Sequence, residues 1–497
     1  MITRSFRPLR RMASGVLILA AILAGCRAAP VGAPSAGQPA SPTPDLPASE
    51  PTPSPLSSRP AYAPGELVEY FAQAGDTLPA VAAHFNTTVE EIKEANPIIP
   101  DNATTLPPGL PMQIPIYFQP FWGSAYQIIP DSLYVNGPSQ SEFNTAEFVA
   151  GHPGWLKGHV EFAAGANRSG AEMVDYIAEK YSISPQLLLA LLEYEAGVLS
   201  NSSPSQEAKL YPLGNRDPLQ RGVFLQMSWA ADLLNDGYYR WRNGTLNEYE
   251  LQDGRVERPD PWQNAASVTL QSYFSSRLQP DKYAVAIGPD GLANTFRALF
   301  GDPWENDQPH IPGSLNQPEM ILPFEPGKTW AYTGGPHTAW GEGEPLAALD
   351  FAPPAVAGGC NDSNEWATAP AAGVVARTEL GTVVLDLDSD GDERTGWVLF
   401  FFHIATEDRI QQGTEVQTGT LLGHPSCEGG KSTGTHFHIA RKYNGEWIPA
   451  DSAIPFNLGG WIASAGEVPY QGTLTRFGQT VRACVCSNQA SQLQAGE

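Results

Sequence analysis

Residues 435–440 read Thr-His-Phe-His-Ile-Ala, and the run continues through Arg441 and Lys442 to Tyr443. Phe437, Ile439 and Tyr443 favour extended backbone, which predicts a strand here. Side chains on a strand alternate faces, so His436 and His438 project from one side and Phe437 from the other. Two imidazoles become neighbours through backbone geometry alone. The surrounding sequence repeats the pattern: "GVVARTEL" (373–380), "TVVLDLD" (382–388) and "GWVLFFFHIA" (396–405) are short apolar runs between glycine and proline turns. The chain beyond Glu325 therefore reads as β-rich.

Five of the nine histidines fall in this last third, at 337, 403, 424, 436 and 438. A single histidine is ordinarily a packed or surface residue; the clustering points to a metal. Zinc takes neutral imidazole at about 2.0–2.1 Å and, with three protein ligands, keeps one position open for water. "GGPHTAWGEGEPLAALDFAPP" (334–354) offers His337 and, thirteen residues later, Asp350. "LFFFHIA" (399–405) offers His403 within an apolar strand.

A His and an Asp near the start, a lone His on a middle strand and a late His-x-His resemble the signature of the lysostaphin-like zinc endopeptidases of bacterial cell walls. The wide first gap is that of their β-lytic and staphylolysin branch. The resemblance spans roughly Leu322 to Tyr470 and implies a mainly antiparallel β peptidase domain with one zinc ion. By matched position, His337, Asp350 and His438 would hold the metal, and His403 and His436 would be the unliganded pair that moves protons and stabilises the tetrahedral oxyanion. His424, in "LLGHPSCEGG", reads as a loop histidine near the cleft. Asp386, Asp388, Asp390 and Asp392, with Gly391, mimic the first half of a calcium loop. Position twelve is Trp397 rather than Glu, so a solvated hairpin turn is the expectation.

A chain of 497 residues that is 42% apolar should divide into two to four domains. Its net charge of −24 argues against a nucleic-acid partner, so wall or polymer binding would rest on shape and hydrogen bonds. Residues 1–25 read as an export signal, with Arg4, Arg7, Arg10 and Arg11 ahead of a short apolar run. Leu23-Ala24-Gly25-Cys26 resembles the lipobox of bacterial lipoproteins, which implies membrane attachment through a lipidated Cys26; an ordinary secretory signal is the plainer alternative. Either way the protein leaves the cytosol. Residues 26–64 are rich in proline, serine and alanine and read as a linker reaching on the order of 100 Å. Cys360, Cys427, Cys484 and Cys486 then remain for disulfides in an oxidising compartment. Three pairings are open, and Cys360 with Cys427 is favoured because each lies between motifs of the site.

Residues 65–117 predict a strand, two short helices and a closing strand. Leu78, Val81, Ala82 and Phe85 form the apolar face of the first helix, and Thr88 with Glu91 forms a capping box on the second. The GDTL segment, Phe85, Thr88 and Asn96 resemble a LysM module, a βααβ unit whose family binds N-acetylglucosamine polymers.

Residues 118–304 turn helical. In "SPQLLLALLEYEAG" (184–197), Ser184 is a natural N-cap, Pro185 suits the first position and Gly197 ends the run. Apolar on all sides, this helix should be the buried centre of an all-α bundle, with Glu195 emerging among apolar neighbours as a general-acid candidate. The stretch resembles the lysozyme-like fold of lytic transglycosylases. Ala196 replaces their serine, "FLQMSWA" (224–230) matches their groove motif only loosely, and their Tyr-Asn-Ala-Gly segment has no counterpart. Residues 305–321 read as a second linker, 322–470 as the peptidase domain and 471–497 as a tail.

Together these features predict a peptidoglycan hydrolase: a zinc endopeptidase that cleaves stem or cross-bridge peptide bonds while its LysM module holds the glycan. Two alternatives stand beside it, a non-enzymatic wall-binding regulator of other hydrolases and a bifunctional enzyme with muramidase or transglycosylase activity at Glu195.

Overall fold

Phe85 and Ile92 are wholly buried between two short helices and a strand pair, as the apolar spacing of residues 65–117 predicts. The computed structural model describes residues 59–305, 307–354, 358–486 and 488–496; the export signal, Cys26 and most of the 26–64 linker lie outside the described residues. Strand β1 (Glu66–Phe71) pairs antiparallel with β2 (Pro111–Ile116), and α1 (Leu78–His84) and α2 (Val89–Ala95) lie between them in sequence. Thr88 Oγ1 accepts from Glu91 N at 3.2 Å and the Glu91 carboxylate accepts from Thr88 N, so the capping box closes.

The next part comprises α3 (Thr145–Gly151), a hairpin of β3 (Val160–Ala163) and β4 (Ala166–Ser169), then α4 (Gly170–Tyr181) and α5 (Pro185–Ala196). It continues with α6 (Gln206–Leu210), α7 (Val223–Arg242), α8 (Ala265–Ser275), α9 (Pro280–Ala286) and α10 (Leu292–Phe300). Helix α5 begins and ends where its caps predict: Ser184 Oγ accepts from Leu187 N, and Gly197 terminates it at φ +61°. Leu187 to Leu192 are all buried, so this helix is central to its core.

Beyond Phe324 lie β5 (Thr329–His337), β6 (Ala348–Ala352), β7 (Gly373–Glu379), β8 (Gly381–Asp386), β9 (Trp397–Ile404), β10 (Glu415–Val416), β11 (Phe437–Tyr443) and β12 (Glu446–Trp447). They form one antiparallel sheet in the order β10-β7-β8-β9-β11-β6-β5, closed at the far edge by Gln492–Gln494, with β12 paired to β11. Inward side chains from alternate positions, among them Leu385, Leu399, Phe401, Phe437 and Ile439, make the core of the β region. The other face, with Val384, Val398, Phe400, Phe402 and Ala440, belongs to the same core as the helices. Burial on both faces is why β9 reads as an unbroken apolar run rather than an alternating one.

Residues 311–315, within the segment read as a linker, pack closely against their neighbours. Ile311 and Leu315 are buried with Ile448 and Ile454, and Thr104 and Thr105 donate to the carbonyls of Leu315 and Pro312. Arg242 of α7 lies 3.2 Å from Asp131 and 3.1 Å from Glu446, and also donates to the Ala74 carbonyl, joining three stretches of chain at one buried guanidinium. Residues after Tyr470 continue the β region: Gly472–Arg476 and Gln479–Arg482 join Asn457–Leu458 and Trp461–Ala465 in a four-stranded sheet. Only Leu474 and Val481 of those two strands point into the core, a pattern too sparse to read as strand from composition.

Candidate metal centre

Strand register brings the centre together. His438 of β11 pairs directly with Asp350 of β6, and His337 stands at the end of β5, where the pairing with β6 shifts. His337 Nε2 lies 3.1 Å from His438 Nδ1, and Asp350 Oδ1 lies 3.3 Å from the first and 3.5 Å from the second. All three residues are buried. Gly334 makes room for the carboxylate: a Cβ there would sit 2.4 Å from Asp350 Oδ2.

The hydrogen bonds around the two rings assign their protons. His337 Nδ1–H donates to the Gly335 carbonyl at 2.8 Å, and His438 Nε2–H donates to the Ala339 carbonyl at 3.1 Å. The facing nitrogens then carry lone pairs, and Asp350 Oδ1 is buried with no hydrogen-bond donor. Such a cluster of acceptors needs a cation. Tetrahedral zinc at 2.0–2.1 Å from each ligand sets ligand atoms about 3.3 Å apart, close to the separations here. Burial would push the Asp350 carboxyl up, but His337 first, then His438 and His436, outweigh it and hold it well below the usual carboxylate range. Burial lowers His438, whereas for His337 the facing Asp350 overcomes burial and raises it.

His436 and His403 complete the predicted set. His436 Nε2 lies 3.8 Å from Asp350 Oδ1, and its ring stands 4.6 Å from that of His403. Each gives its Nδ1–H to a backbone carbonyl, His436 to Gly434 at 2.7 Å and His403 to Glu428 at 2.9 Å, which leaves both Nε2 atoms as acceptors. Burial, with the neighbouring His436 ring acting in the same direction, pushes His403 down to about 4. Strict alternation along β9 would have sent His403 inward beside Phe401. Its left-handed backbone, φ +61°, turns it out of the core, and Ile404 takes the inward place. A non-glycine residue held there is a local strain of the kind that collects at functional sites.

His424 stays apart from the cluster: its Nδ1 faces the Glu365 carbonyl at 2.9 Å and its ring packs on Trp366 at 3.8 Å. The favoured disulfide, Cys360–Cys427, is present, and Cys484 pairs with Cys486. Asp386 is the last residue of β8 and accepts from Asp388 N and Gly391 N of the turn that leads to β9. Burial, together with a hydrogen bond to Asp388, pushes its carboxyl up to about 7. Tyr470, whose ring stacks on His337 at 4.1 Å, carried no signal in the sequence.

Glu195 stands at the C-terminal end of α5 as expected, but its surroundings differ from the expectation. Arg277, just past α8, grips it with Nη1 at 2.9 Å from Oε1 and Nη2 at 2.6 Å from Oε2, and Tyr273 Oη donates to Oε1 at 2.8 Å. Both oxygens are occupied as acceptors, so no proton is presented to a substrate. Helix packing brought an arginine where local sequence showed only apolar neighbours.

Residues 127–313 match the family model described as LasA, N-terminal domain, and residues 72–115 match that of the LysM domain. Protease LasA of Pseudomonas aeruginosa is 26% identical over 367 residues, covering 70% of this chain and 80% of the relative. The beta-lytic metalloendopeptidase of Lysobacter enzymogenes is 28% identical over 166 residues, 32% of this chain and 86% of that relative. Among solved structures, the M23 metalloprotease pseudoalterin from the deep sea is 26% identical and covers 34% of this chain and 96% of its own, with a TM-score of 0.29.

Proposed function

We propose that this chain, a LysM-containing zinc metalloendopeptidase that degrades peptidoglycan, cuts stem or cross-bridge peptide bonds with His337, Asp350 and His438 as its metal ligands. The observation that carries the ligand assignment is the convergence of two imidazole lone pairs and an orphaned carboxylate oxygen within 3.5 Å of one another. A bound zinc ion would polarise the scissile carbonyl and acidify its water. His403 and His436 do the proton work. Each has a carbonyl holding its Nδ1–H, so Nε2 accepts a proton in the first half of the reaction and returns it to the leaving amine in the second. Because burial keeps His403 neutral, it is ready to act as the base.

The LysM module, assigned to residues 65–117, would hold N-acetylglucosamine-containing glycan and raise the local concentration of cross-links at the peptidase, assigned to residues 322–470. We assign residues 118–304 to the helical part, with its lysozyme-like character resting on α5 alone. Attachment to a membrane through Cys26 is supported by the basic start, the apolar run and Leu23-Ala24-Gly25-Cys26. Among the described residues no helix is long and apolar enough to cross a bilayer.

Zinc content and the clearing of wall suspensions by the full chain, with and without a chelator, test the reading. One zinc per chain and chelator-sensitive clearing are expected. Stoichiometric zinc with no clearing would overturn the enzyme and favour the regulator of other hydrolases.

A further inference from the structure

The segment between the two proposed ligands His337 and Asp350 is a loop that reaches away from the sheet. It closes on itself where Ala339 N donates to the Pro345 carbonyl at 3.0 Å. Its first turn carries the Ala339 carbonyl that takes the His438 Nε2–H. Trp340 follows, its ring 4.9 Å from Phe402 of the sheet on one side and 4.8 Å from the Lys180 ammonium of α4 on another. The tip then meets α7. Asp232 Oδ1 accepts from Glu342 N at 2.8 Å. The fit is close at Gly341, whose φ is +76° and where a Cβ would lie 2.2 Å from Asp232 Oδ1 and 2.6 Å from the Tyr181 ring.

Resting on the metal-site reading above, we infer that Asp232 is a positioning residue: it moors the 338–347 loop to the helical part and so holds the Ala339 carbonyl against His438. The chain of causes is short. Without the Asp232 acceptor the Glu342 amide loses its partner and the loop tip is released from α7. The Ala339 carbonyl then samples positions out of reach of Nε2, and the His438 proton is free to move to Nδ1, the nitrogen that faces His337 and Asp350. A ligand imidazole whose outer hydrogen bond fixes its tautomer binds metal more tightly, and loss of such a partner costs about 10–100-fold in affinity. Asp232 acts one step further out, so a loss of about tenfold is expected for Asp232→Ala.

The test uses the full chain and zinc alone. Zinc affinity is measured by competition with a chromogenic chelator, and amide hydrogen exchange is followed at Ala339 and Glu342 without metal. Asp232→Ala should lose about tenfold in affinity and expose both amides to exchange. Asp232→Asn, which keeps an acceptor oxygen, should restore most of both. Gly341→Ala, which pushes the tip off Asp232 from the loop side, should behave as Asp232→Ala does and covers the case in which that variant fails to fold. Glu207→Ala, which removes an exposed ion pair with Arg216, is the control and should change neither readout. Zinc bound equally by wild type and by either Asp232→Ala or Gly341→Ala would overturn this inference while leaving the metal site standing. A wild-type chain that takes up no zinc would overturn the site itself.

Discussion

His337 Nε2 and His438 Nδ1 face each other at 3.1 Å across 101 residues of chain, with the other nitrogen of each ring already bonded to a backbone carbonyl. Two lone pairs at that distance repel unless a cation lies between them. Removing either ring, or Asp350, should therefore abolish zinc binding while leaving the fold in place. In His438→Ala we expect affinity to fall by more than the ~100-fold that a lost outer partner can cost, read by chelator competition with circular dichroism as the folding control.

His403→Ala and His436→Ala should separate chemistry from metal binding. Both variants are expected to keep one zinc, because neither ring belongs to the converging trio. Their kcat on peptidoglycan fragments should fall by about 10²–10⁴-fold, the usual contribution of a positioned acid or base. A variant that lost zinc and rate together would instead make that histidine a ligand.

Glu195→Gln should leave wall clearing unchanged and produce no change in released saccharide ends, since Arg277 and Tyr273 already occupy both carboxylate oxygens. Arg277→Ala is the disruptive change at this place. It leaves a carboxylate only 11% exposed without its cation and should destabilise the fold by about 3–5 kcal/mol in denaturant titration.

Glu446 makes stability depend on acid. Burial would raise its carboxyl, but Arg242 and then His310, whose Nε2 lies 2.7 Å away, outweigh burial and hold it at about 2, against an ordinary 4.5. A folded-state value below the unfolded one stabilises the protein above about pH 4.5, and the contribution disappears as pH falls toward 2. The size is about 3 kcal/mol. Unfolding free energies of wild type and Glu446→Gln should therefore differ in slope over that window, with the variant flatter. Asp76, near the same arginine, acts with the opposite sign: burial pushes it up to about 6, so its contribution is lost as pH rises through that value.

The Cys360–Cys427 bridge closes a separation of 67 residues, which corresponds to about 4 kcal/mol of chain entropy removed from the unfolded state. Reduction or Cys427→Ser should lower the thermal midpoint accordingly, and more than Cys484→Ser, whose partner is two residues away.

Much of this molecule was legible in local sequence because the signals involved act over a few residues. Period two placed His436 and His438 on one side. The Thr88–Glu91 box and the Ser184, Pro185 and Gly197 boundaries appear where their capping chemistry requires. Other features depended on which distant segments meet. The outward turn of His403 needed a left-handed backbone that no residue type announces, and the arginine on Glu195 arrived from the turn after α8, 82 residues away. The same holds for Tyr470 over His337 and for Asp232 beneath the loop that carries Ala339. Local propensities decide which strands and helices form and which side each residue faces; strand register and helix packing, set by burial over the whole unit, decide which of those faces meet.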